Sequence, residues 1–310
     1  MADVIPIFMP GALKPAIKFR EQQGQLKRMR KPPRRAPSRR PEASYLRMLL
    51  ALLARQRALI VSKVLPRLEE IVASTPFEIR APDRFDAAEV IEEVMTGYKI
   101  AFAAEAPLDT IATQAGSAAA AQNATEQKRI VQTVLGIRPE LNEPWLADVM
   151  AQFTRTNAQL VGKVTEDFSD RLERRIGDRV REGFRAEQIA KEVERDFVRT
   201  QGVEATVAKK RAKLIARDQI ASLQGDITRV RQQSLGVQRY IWRTAQDERV
   251  RDSHRDREGE VFVWGEPIQP QLAEKGLEID TVDGPPGKPI NCRCYAEPVI
   301  SDLVEGAPDI

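Results

Sequence analysis

From Glu42 to Ser234, apolar side chains return every three or four residues, a spacing that lines them along one side of a helix. Leu46, Leu49, Leu50, Leu53, Ile60, Val64, Leu68 and Ile71 form the first series, which Pro66 should kink or end. After the breaker-rich "STPFEIRAPDRF", Asp86 and Glu89 have capping-box spacing and open a helix through about Ala104. A third helix follows Pro107 and contains "GSAAAAQNA", whose small side chains permit either close helix contacts or a weakly anchored stretch. Beyond Pro144, the series Trp145, Val149, Phe153, Leu160, Val164, Phe168, Leu172, Ile176, Val180 predicts a long helix. Its four-residue step overshoots the helical turn, so the apolar line drifts and must meet more than one neighbour or break near Gly177. Two more helices are predicted over 186–198 and 204–234. Aromatics make up only 5% of the 310 residues, while Ala, Arg, Glu and Gln abound, which also favours helices as the bulk of the structure.

Past Gly236 the pattern changes to short β-type runs, "VQRYIWR", "EVFVW" and "CRCYAEPVI", joined by the turn-rich "DGPPGKPIN". The expected fold class is therefore α+β. It has a basic N-terminal arm over 1–42, a helical region over 43–235, a small α+β domain over 236–300 and a tail over 301–310. The longest apolar run, "MLLALLA", is too short to span a membrane, and the N-terminus has no charged leader followed by an apolar stretch. Cys292 and Cys294 are too close in sequence for a useful disulfide staple. A secreted disulfide scaffold is thereby disfavoured, and the expected place of assembly is the cytoplasm.

The net charge of +4 hides an asymmetry, because residues 14–40 hold eleven Lys or Arg against the single acid Glu21. "LKRMRKPPRRAPSRRP" has no apolar period to offset the entropy of ordering, so an extended arm is expected. It is either a solvated tail or a polyanion-binding arm, and its charge density favours the second. Lys27, Arg28, Arg30, Lys31, Arg34, Arg35, Arg39 and Arg40 would then contact phosphates without sequence preference, since no aromatic between Phe19 and Tyr45 offers a base a stacking surface.

Residues 239–264 crowd Tyr240, Trp242, Phe262, Trp264 and the only histidine, His254, into one short stretch. Alternation gives a strand through about Arg243, after which Asp247 is placed to cap a short helix with Val250 and His254 on one face and Gly259 at its end. Arg249 and Arg251 point elsewhere, toward Asp247, Glu248 or Asp252 or an acidic partner. On an extended "NCRCY" both cysteines project to one side. If that strand lies beside the helix, His254, Cys292 and Cys294 offer three soft ligands to Zn²⁺, with an aspartate or water as the fourth. The other reading is two small buried thiols beside a core histidine, and the ligand count favours it, since structural zinc usually takes four Cys or His ligands. Enzyme motifs fail in detail. "HRD" lacks the other kinase elements, and a zinc deaminase would need H-x-E and P-C-x-x-C where this chain has His-Arg-Asp and Asn-Cys-Arg-Cys.

Taken in order, Ala216-Arg217-Asp218, Trp242, the run Asp247 to Arg251, His254, Gly259 and Asn291-Cys292-Arg293-Cys294 ahead of Pro298 resemble the phage Mu protein F-like head morphogenesis family. The similarity covers about residues 210–300. It implies a minor head protein of tailed phages and prophages, without enzymatic activity, placed in the virion at the portal vertex and tied to assembly or genome delivery. Its implied partners are the portal protein, packaged DNA or an acidic scaffold through the basic arm, and other copies of itself. Arg217, Asp218, Trp242, Asp247, Arg249, Arg251, Gly259, Asn291 and Arg293 are then motif residues. Many family members carry a second histidine just before Cys-Arg-Cys, whereas "PGKPIN" here has none, so no cofactor is expected, with zinc as the minority alternative. A competing function is a thiol- or zinc-dependent hydrolase or effector domain delivered with phage DNA.

Overall fold

A computed structural model of the protein describes residues 4–7, 13–22, 32, 38–74, 86–280 and 284–304. In chain order the elements are β1 (Val4–Ile7), α1 (Leu13–Gln22), α2 (Arg40–Leu59), α3 (Leu68–Ala73), α4 (Asp86–Glu105), α5 (Leu108–Leu135), β2 (Arg138–Leu141), α6 (Leu146–Arg181), α7 (Ala186–Val193), α8 (Val203–Ser234), β3 (Arg239–Arg243), α9 (Asp252–Arg255), β4 (Val261–Val263), α10 (Ile268–Glu274) and β5 (Tyr295–Pro298). The α+β class with long helices and a small C-terminal antiparallel sheet is as expected. Among the described residues no helix is long and apolar enough to cross a membrane.

Two compact units divide the chain, one made of 43–112 and 154–216, the other of 1–42, 113–153 and 217–310. The first is purely helical. Of the predicted stripe, Leu49, Leu53, Ile60, Val64, Leu68 and Ile71 are buried and Leu46 and Leu50 half-buried, while Leu52, outside the stripe, joins the core, as do Phe168, Leu172 and Ile176 of α6. Pro66 has no N–H to donate, and the helix around it runs through a π turn (Ile60–Val64) and a 3-10 turn (Leu65–Arg67) before α3 resumes. α6 passes Gly177 without breaking. Polar groups inside this unit are matched: Tyr45 donates to Asn157 Oδ1 at 3.1 Å and Gln56 Nε2 to the Thr165 carbonyl at 2.9 Å. Its ion pairs include half-exposed ones, such as Lys99 with Asp170 and Glu173 at 3.2 and 2.9 Å.

The second unit differs from the sequence-based division at 235/236, because parts of α5, α6 and α8 share it with the C-terminal sheet. Within the expected arm it departs from an extended chain over 13–22, while 23–31 and 33–37 of the Arg/Pro-rich stretch lie outside the described residues. Residues 13–22 are helical, since Leu13, Ala16 and Ile17 fall at helical spacing and are buried in a cluster with Ile130, Val134, Leu235, Ile300 and Leu303. β1 pairs in parallel with β2, Val4 opposite Arg138. The "GSAAAAQNA" stretch lies within α5 as a close contact. Ala115, Ala119 and Ala120 are buried, and a Cβ on Gly116 would run into Met150 and lie 2.9 Å from the Phe153 ring. Arg231 of α8 is buried, with its guanidinium on Glu143, the Ala120 carbonyl at 3.0 Å and Asn123 Oδ1 at 2.8 Å.

The three-stranded sheet has the order β4-β3-β5, with Tyr240 opposite Phe262 and Trp242 opposite Ala296. Its apolar face gathers the aromatics: Tyr240 stacks on Trp264 at 3.9 Å between centroids, and Trp242 meets Phe262 edge-on at 5.8 Å. Gln232 of α8, fully buried, accepts from Trp264 Nε1 at 2.9 Å and donates to the Ala296 carbonyl at 3.1 Å, which ties helix to sheet.

Candidate functional site

The site forms where two connections cross the end of this sheet. The first runs from β3 to β4. Gly259, at φ +90°, turns the chain back so that its N–H reaches the Trp242 carbonyl at 2.9 Å, while the Trp242 N–H reaches the Glu260 carbonyl at 2.8 Å. This hairpin carries the single turn α9 over Trp242 and sets the His254 ring edge-on to the indole, centroids 5.3 Å apart. The helix starts later than expected. Arg251 is its N-cap, and Asp247 instead accepts the Arg249 N–H at 3.1 Å and binds the Arg293 guanidinium with both oxygens. Arg293 outcompetes the helix because a carboxylate gains more from a bidentate guanidinium than from one cap bond.

The second connection leads into β5. It is pressed against α8 at two glycines: a Cβ on Gly225 would come within 2.6 Å of the Pro286 carbonyl oxygen, and one on Gly287 within 2.6 Å of the Ala221 carbonyl oxygen. Asn291, at φ +59°, gives its N–H to Asp218 Oδ1 at 3.1 Å. Cys292 therefore lies in a turn, not on the extended strand expected, and β5 begins only at Tyr295. The thiols converge nonetheless.

His254 Nδ1 is 3.7 Å from Cys292 Sγ and 3.6 Å from Cys294 Sγ, and all three residues are buried. On the far side of the ring, Nε2 lies 3.3 Å from Asp280 Oδ2, within ion-pair range but not aligned as a hydrogen bond. Asp280 also accepts from Ser253 Oγ at 2.9 Å. The hydrogen bond from Cys294 holds the Cys292 thiol well below the ordinary thiol range against the cost of burial, with further help from His254 and the Gly287 backbone. The same contact, together with burial, pushes Cys294 up. These three side chains are the group able to hold a metal among the described residues. Beside them is a cavity of about 70 Å³ lined also by Arg249, Val250, Arg251, Asn291 and Arg293.

Motif residues around the cluster are engaged within the unit. Arg251 donates to the Ile290 carbonyl at 2.7 Å, Arg217 pairs with Glu42 at 3.6 Å, and Trp242 is fully buried. Arg249 is exposed at the cavity's rim. Of the predicted DNA-contacting cations, Lys27, Arg28, Arg30, Lys31, Arg34 and Arg35 lie outside the described residues. Arg39 is exposed, 3.9 Å from Asp247, and Arg40 is exposed at the start of α2.

Three groups were not singled out by sequence reasoning. Arg243 binds Glu297 through two 3.0 Å hydrogen bonds and reaches Glu258 at 3.3 Å. Arg257, with no exposed side-chain surface, lies over the Trp242 ring at 5.1 Å. Asp280 backs the histidine. Glu297 alone carried a signal, as a single acid within the apolar run "YAEPVI".

Residues 170–297 match the family model described as phage Mu protein F like protein. An uncharacterized protein of Haemophilus influenzae is 28% identical over 170 residues, covering 54% of this chain and 34% of its own length. The chain thus spans about a third of the length of that curated relative. No solved structure matches.

Proposed function

Because its residues 170–297 are phage Mu protein F-like, we propose that this chain is a minor head protein of a tailed phage or prophage, acting as an architectural part without substrate turnover. In this reading it is present in few copies at the portal vertex and takes part in head assembly or genome packaging and delivery. The observation that carries it is the use made of the motif's polar groups. Arg293 and Asp247 bind each other, Asp218 holds the Asn291 N–H, and Arg251 holds the Ile290 carbonyl. A reaction site would keep such groups turned toward an open cleft. The cavity at His254, about 70 Å³, and the one of about 120 Å³ that also touches Cys292 and Cys294 are both well below the roughly 300 Å³ at which small-molecule sites begin. The depressed thiol of Cys292 is what the competing hydrolase reading would require, but that residue is only 4% exposed.

The cations Lys27, Arg28, Arg30, Lys31, Arg34, Arg35, Arg39 and Arg40 are assigned to DNA phosphates or an acidic scaffold. Changing the first six to Gln should weaken DNA binding and flatten its salt dependence, by about 0.9 in log–log slope per lost phosphate contact. Substitution is a cleaner test than deleting 14–40, because Ala16 and Ile17 belong to a core. The deciding experiment is quantification of the chain in purified particles and their precursors. Recovery in few copies with portal-vertex fractions is expected, and absence from both overturns the proposal.

A further inference from the structure

We propose that His254 Nδ1 and the Sγ atoms of Cys292 and Cys294 bind one zinc-class divalent cation, with a water molecule as fourth ligand, and that this ion locks α9 to the connection leading into β5. The inference rests on local geometry and is independent of the head-protein reading.

A tetrahedral ion with Zn–S of about 2.3 Å and Zn–N of about 2.0 Å requires N···S edges of roughly 3.5–3.6 Å. The observed separations are 3.6 and 3.7 Å, and all three ligand atoms lie within 4.8 Å of one another. The two N···S edges need almost no movement. Asp280, 3.3 Å from Nε2, favours the tautomer with its proton on that nitrogen, which leaves the Nδ1 lone pair facing the sulfurs. Backbone dipoles also favour thiolates here. The Cys294 N–H reaches Cys292 Sγ at 3.4 Å.

Of the two cavities that reach both thiols, the one that also reaches His254 is otherwise lined by Arg249, Val250, Arg251, Asn291 and Arg293, which supply no further thiol, imidazole or carboxylate. Its volume of about 70 Å³ admits solvent, hence a water as the fourth ligand. On binding, the thiol protons still held by the pair pass to solvent, and the bis-thiolate balances the dication in a buried place.

The test uses the full chain, stripped with a chelator under reducing conditions and titrated with Co²⁺ and then Zn²⁺. One Co²⁺ per chain should give the thiolate charge-transfer and tetrahedral ligand-field absorption, and one equivalent of Zn²⁺ should abolish both. Asp280→Asn should keep the spectrum but lower the affinity by about 10- to 100-fold. No thiolate absorption in the unmodified chain overturns the proposal, whether or not the variants fold. So does unchanged metal uptake in folded Cys292→Ser/Cys294→Ser, because the ion would then sit elsewhere.

Discussion

The helical unit of 43–112 and 154–216 and the sheet region of 236–304 solve the same problem with different materials. In the helical unit burial is done mainly by repeated aliphatic and aromatic residues at helical spacing; Asp196, paired with Arg175 and Arg195, is its one buried carboxylate among the described residues, and ion pairs such as Lys99 to Glu173 are left half in water. In the sheet region charges go inside: the side chains of Arg243 and Glu297 are 10% and 6% exposed, and that of Arg257 has no exposed surface at all. Apolar stripes tolerate small shifts in register, whereas a buried guanidinium accepts only the partner whose oxygens meet its fork. The comparison teaches that the helical unit is held by quantity of apolar contact and the sheet region by identity of polar partner.

The contrast can be broken most sharply at Glu297. Glu297→Ala leaves the buried Arg243 with only its 3.3 Å contact to Glu258 and should cost up to about 3–5 kcal/mol in chemical denaturation, whereas replacing both Arg243 and Glu297 with apolar residues of similar volume should recover most of the loss. Full destabilisation by the double variant would show that packing, not pairing, governs the sheet. In the helical unit Leu172→Ala should cost about 2–5 kcal/mol by opening a cavity, and Leu172→Met much less. Gly225→Ala should cost about 1–3 kcal/mol, because the new methyl must push the Pro286 carbonyl away, and it should speed thiol labelling of Cys292. Removing a half-exposed ion pair with Lys99→Ala should change stability by less than about 1 kcal/mol.

The smallest effect concerns pH. The Arg293 guanidinium holds the Asp247 carboxyl below its ordinary range, so the stabilisation is fully present above about pH 4 and is lost as pH falls through the lower, folded-state value. Asp247→Asn should therefore flatten the acid limb of a stability curve measured below about pH 4. An unchanged limb would mean that other carboxylates, such as Glu258, set it.

The helices of the apolar stripe and the three strands were legible because each follows a period set by its own backbone. α1 was not, since its short pattern of Leu13, Ala16 and Ile17 abuts a dense run of cations that pointed to an extended chain. β1 was not, because Val4 finds its partner at Arg138, and such pairing leaves no local trace. The meeting of His254 with the two cysteines was readable as a condition on the fold. Its supports were not: Asp218 is 73 residues from Asn291, and Asp280 lies beyond β4 and α10 from His254, in a segment with no periodic pattern of its own. Asp247 was assigned to a cap on local spacing, and the distant Arg293 took it instead.

One cluster joins Leu13 and Ile17 to Ile300 and Leu303, with most of the chain lying between them. On a ribosome, where the chain emerges at about 5–20 residues per second, the helical unit has all its segments once residue 216 is out, while the other must wait for its last turn. Leu13 and Ile17 thus remain without their final neighbours until Leu303 has been made, and a message cut short before codon 300 would yield a chain in which this cluster never closes.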